Sequence, residues 1–141
     1  MSAALYTASW RALWEGWKVG TLDVTPCSIS VVTYPKFWPE SQAYPRLELL
    51  APRGIFGVVK DPAEYAARYL DRLERAGVDA ITEALRQLRE ENQDLALCCA
   101  CYCRDAASCH RTTFARFMTD RGIEVAEWSP PAATQLQMEE S

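Results

Sequence analysis

The stretch Leu95 to Arg111, reading LALCCACYCRDAASCHR, restricts this chain more than any other, because it holds five of the six cysteines and the only histidine. Leu95 to Tyr102 is an apolar run of the length of a strand buried on both faces, and Asp105 to Ser108 has the small polar character of a loop. Ser108 suits a helix cap. Cys109, His110 and Arg111 then fall in the first helical turn, where unpaired backbone N–H groups and the positive end of the helix dipole favour thiolates and bound anions. A strand, a short loop and a reactive helix start together make the kind of site found in α/β folds.

The length of 141 residues, 49% of them hydrophobic and 24% charged, suits one compact domain with its own core. Residues 1–128 are read as that domain. Residues 129–141 are rich in Pro, Gln and Glu with little to bury, and are expected to be a poorly ordered tail. No stretch approaches the ~20 apolar residues of a membrane span, and no signal-like segment opens the chain, so the expected location is cytoplasmic and away from the membrane. Thiols stay reduced there, which makes the cysteine cluster metal-binding, catalytic or simply buried before it is disulfide-bonded. The net charge of −4 argues against extended nucleic acid and favours a small ligand.

Leu5 to Ala8 is β-like, and Ser9 can cap a helical turn with Trp10, Leu13, Trp14 and Trp17 on one stripe, the pattern of an amphipathic helix against a core. Ser28 to Thr33 reads as a second strand. The prolines of the following Tyr34-Pro-Lys-Phe-Trp-Pro39 forbid regular structure, and this loop at a strand end places Lys36, Phe37 and Trp38 where they could wall a pocket or plug the core. Gly54 to Val59 is read as another short strand. Asp61-Pro-Ala-Glu64 starts a helix with Tyr65, Tyr69, Leu73 and Ala76 on one face; Gly77 stops it, and Asp79 is read as the cap of a second helix bearing Ile81, Leu85 and Leu88. Phe114, Phe117 and Met118 anchor the helix after the cysteine stretch, Gly122 ends it, and Ile123 to Trp128 makes a last strand. The alternation predicts an α/β domain with a mostly parallel sheet flanked by helices.

Along an extended strand Cys99, Cys101 and Cys103 share one face and Cys98 takes the other. Cys98-Cys-Ala-Cys101 therefore spells a redox motif whose thiols would point apart, and Cys98 to Arg104 spells a phosphatase loop without the glycine that wraps an anion. Cys98 and Cys99 are read as small apolar core residues. Two functional readings remain for the rest. In one, Cys109 is a reactive thiol, Arg111 clamps an anionic substrate and His110 transfers a proton or orients a group. In the other, Cys101, Cys103, Cys109 and His110 surround zinc or iron. Arg111 needs solvent or an acid such as Asp105 as its partner.

At these residues the chain resembles the bacterial and archaeal proteins of the domain of unknown function 488 family. The likeness lies in Cys101 followed across a polar loop by Cys109-His110-Arg111, in the helix through Phe114, and in the terminal Gly122-Ile-Glu-Val-Ala-Glu-Trp128. Leu5 to Trp10 is similar to the first strand of one branch, and Ile29 to Trp38 to its strand leading into a Pro-Lys-aromatic loop. The resemblance implies a compact α/β domain and no established activity. Where the family pattern has a basic residue this chain has Thr33, and where it has an acidic one this chain has Cys103.

The resulting expectation is a pocket at the strand ends, built from Thr33 to Trp38 and Cys101 to Arg111, for a small anionic or nucleotide-like ligand held by Lys36, Trp38, Cys101 and Arg111. Cys109, His110 and Arg111 carry thiol-dependent chemistry in the leading reading. Metal binding and a non-catalytic, Trp-rich interaction domain are the alternatives, and the exposed aromatics leave a homodimer open. The residues alone do not decide whether the protein is an enzyme.

Overall fold

The computed structural model describes residues 5–30, 45–92, 96–101 and 110–130. The expectations placed on Thr33, Lys36, Phe37, Trp38, Cys103, Asp105, Ser108, Cys109 and most of the tail lie outside the described residues.

The elements run β1 (Leu5–Ser9), α1 (Trp10–Lys18), β2 (Thr25–Ser28), a 3-10 turn (Glu48–Leu50), α2 (Pro62–Ala76), α3 (Val78–Glu91), β3 (Leu97–Cys101), α4 (His110–Thr119) and β4 (Ala126–Glu127). All strand pairs are parallel, in the order β2-β3-β1-β4. This is the α/β architecture that the alternation of elements predicts. No helix among the described residues is long and apolar enough to cross a membrane.

Two cores flank the sheet. Ile81 and Leu85 of α3, Tyr69 and Leu73 of α2, and Phe114, Phe117 and Met118 of α4 pack with Leu5, Leu97, Cys99 and Cys101 on one face. Trp10 and Leu13 of α1 pack with Ala8, Cys98, Ala100 and Trp128 on the other. The alternating strand phase thus sends Cys98 to one core and Cys99 and Cys101 to the other, as the sequence predicts, and every residue of β3 is buried. Burial on both faces is why β3 reads as a continuous apolar run.

Local chemistry explains most of the boundaries. The Ser9 hydroxyl accepts from the Ala12 N–H at 3.1 Å and starts α1. Asp61 does the same for α2 by accepting from Glu64 N–H at 2.9 Å, with Pro62 as the first helical residue. Four expectations are corrected, the first being the last strand, read over Ile123 to Trp128, which as β4 covers only Ala126–Glu127. β2 covers Thr25–Ser28 and so begins earlier than the β-branched run suggests. Pro26 is tolerated because Thr25 and Ile29 donate to the Ala96 and Ala100 carbonyls, so the intervening Pro26 nitrogen faces away from β3 and no ladder bond is lost. Gly54 to Val59 is a pair of tight turns, with Gly54 and Gly57 at positive φ and Phe56 and Val59 N–H bonded to Pro52 and Ile55 carbonyls. Gly77, at φ 89°, ends α2 and also begins α3, so Asp79 sits inside the first turn of α3 and does not cap it.

Candidate functional site at the strand ends

The topology sets a switch point at the ends of β1 and β3. From β1 the chain crosses to β2 on one side by way of α1, whereas from the neighbouring β3 it crosses to β4 on the other side by way of α4. Adjacent strands whose connections diverge leave a gap at their carboxyl ends, where ligands of open α/β sheets bind. The residues at those two ends are Ser9 and Cys101, which are register partners.

His110 and Arg111 open α4 at this gap, and both are buried, at 4% and 5% exposure. His110 Nε2 lies 2.9 Å from the Ile29 carbonyl just past β2. A carbonyl only accepts, so Nε2 carries the proton and Nδ1 keeps a lone pair. Tyr69 meets the imidazole edge-on with ring centroids 5.2 Å apart, and its own hydroxyl donates to the Leu50 carbonyl at 2.6 Å. Burial pushes His110 below its ordinary value of 6.5, against the opposing pull of Cys101 and the Ile29 carbonyl. The imidazole is neutral at neutral pH.

Arg111 reaches over the sheet in the other direction. Its Nε donates to both Glu127 carboxylate oxygens, at 2.9 and 3.3 Å, and its Nη1 donates to Cys101 Sγ at 3.3 Å. Cys101 ends β3 and Glu127 lies on β4, so the guanidinium bridges two strands across the intervening β1. Thr7 of β1, the register partner of Glu127, also hydrogen-bonds its carboxylate. Burial raises the Glu127 carboxyl despite the pull of Arg111. Ser28 and Ser30 complete the buried polar rim, with the Ser30 hydroxyl 3.4 Å from the Ala100 carbonyl.

Of the residues expected at the site, the structure brings together Cys101, His110 and Arg111. Lys36, Trp38, Cys103 and Cys109 lie outside the described residues. Among the described residues no three His, Cys, Asp or Glu side chains gather where they could hold a metal ion. Cys27, Cys98 and Cys99 are buried thiols, and burial pushes Cys27 up to about 12 and Cys98 and Cys99 well above their ordinary value, as suits inert core residues.

Among the described residues the carboxylate partner of Arg111 is Glu127, which the sequence reading does not name; Asp105, its example of an acidic partner, lies outside the described residues. A signal was present. In the expected last strand Ile123, Val125 and Glu127 fall on one face, and the first two do pack on the apolar core, so an acid in third place calls for an internal partner. Nothing in the sequence near Tyr69 or Ile29 announces their contacts with His110, because both depend on the packing of α2 and β2 against α4.

No family model matches the chain, and no curated protein or solved structure matches it.

Proposed function

We propose that this protein carries out thiol-dependent chemistry on a small anionic ligand at the carboxyl ends of β1 and β3, and that it is related to the domain of unknown function 488 proteins it resembles. The observation that carries the reading is the buried Arg111 guanidinium held beside the Cys101 sulfur at the topological gap. A buried cation at a thiol and a helix start is the setting in which sulfur is used as a thiolate. Cys109, immediately before α4, is the reactive group in this reading, since Cys101 is fully enclosed. Arg111 supplies the positive field, and the neutral His110 is the proton-transfer or orienting group. The reading also places the protein in a reducing compartment such as the cytoplasm, where Cys109 stays a free thiol.

The test is a thiol titration of the native protein with a disulfide reagent at neutral pH. One fast-reacting thiol is expected, and Cys109→Ser removes it while the buried cysteines remain slow. A fast thiol that survives in Cys109→Ser overturns the assignment. Near-stoichiometric zinc or iron in protein purified without added metal, lost in Cys103→Ser and Cys109→Ser, would replace the thiol reading with the metal one.

A further inference from the structure

We propose that Glu127 is an internal stand-in for the carboxylate of a small ligand, occupying the solvent-facing side of Arg111 until a free carboxylate displaces it. This rests on the anion-site reading above and gives that site a ligand class and a built-in competitor. The Arg111 side chain is 6% exposed, whereas that of Glu127 is 46% exposed. On the other side of the guanidinium Cys101 is fully enclosed, so among the described residues the carboxylate marks the approach from solvent. The group already seated there is a planar carboxylate with both oxygens within reach of Nε. A formate-sized or acetate-sized carboxylate reproduces that contact.

Glu127 is also placed to leave. It sits on a two-residue strand at the sheet edge, paired with β1 alone, and the Trp128 N–H to Thr7 carbonyl bond of 2.8 Å anchors the backbone behind it. Its side chain can therefore swing out while the strand stays paired. Burial raises its carboxyl in spite of Arg111, and swinging it out takes a carboxylate away from the buried guanidinium, a cost that a seated ligand carboxylate offsets. A ligand carboxylate would then restore the countercharge that Arg111 loses.

Thermal unfolding of the full chain, the Glu127→Ala variant and the Glu127→Gln variant in sodium formate, sodium acetate, sodium phosphate and sodium chloride at matched ionic strength tests this. Removing the competitor is expected to let formate or acetate stabilise either variant saturably, at half-saturating concentrations about tenfold below that of the unchanged protein. Glu127→Gln keeps the shape of the side chain and serves if Glu127→Ala does not fold. If a carboxylate or phosphate stabilises the unchanged protein and the variants bind it no more tightly, the stand-in role is wrong and the anion site stands. If phosphate alone acts, the carboxylate class is wrong. If no anion exceeds chloride in any of the three proteins, this proposal and the anion site fall together.

Discussion

With its Nε2–H given to the Ile29 carbonyl and its ring against Tyr69, His110 ties α4 to the end of β2 and to α2. The same burial makes stability depend on pH. His110 is held below 6.5 in the folded protein, so the unfolded chain takes up the proton first as pH falls. The contribution is complete above about pH 6.5 and is lost as pH falls below it toward the folded value. Glu127 acts in the opposite sense, since its folded value is raised from 4.5 and stability returns as pH falls through that value. His110→Gln keeps an N–H for Ile29 without titrating. Denaturant unfolding between about pH 7 and pH 5.5 should show the natural protein losing on the order of 1 kcal/mol that the variant does not lose. Parallel curves would mean that His110 does not titrate abnormally. At this scale the sequence identified His110 and Arg111 from their position at a helix start. The partners of His110, Ile29 and Tyr69, escaped it because those contacts join segments far apart in the chain.

Elements were legible where a local rule sets them. Ser9, Asp61 and Pro62 mark helix starts through their own side chains, and the tryptophan and leucine spacing of α1 matches the buried stripe of Trp10 and Leu13. Elements set by neighbours were harder to read, as the edge placement of Pro26 and the turns at Gly54 and Gly57 show. Gly16 belongs to the same class. A glycine inside a helix ordinarily costs about 1 kcal/mol against alanine, yet here a Cβ would lie 2.5 Å from Trp128 Cη2. The indole is held by its Nε1–H donating to Asp23 at 3.0 Å, so it cannot move aside without breaking that bond. Gly16→Ala is therefore expected to destabilise the protein by about 1–2 kcal/mol, overpacking outweighing the gain in helix propensity. The midpoint of denaturant unfolding reads this directly, and an unchanged or raised midpoint would show that α1 does not press on Trp128.

At the scale of the whole molecule, the alternation of strands and helices was enough to predict a parallel α/β sheet. The strand order was not readable, because residues 5–9 give no local sign that β3 and β4 flank them. That order matters for the proposed function, since it places the divergent connections of β1 and β3 side by side at the strand ends where Cys101, His110 and Arg111 meet. The proposed chemistry needs a reactive sulfur within the field of Arg111 that a small anion can shield. Peptide mapping of alkylation rates in the native protein, with and without formate or phosphate, measures this for every cysteine at once. Cys109 is expected to react first and to slow saturably as the anion is added, while Cys27, Cys98, Cys99 and Cys101 stay slow in their cores. Reaction of Cys109 at the rate of the buried thiols, or at a rate indifferent to the anion, would contradict the account.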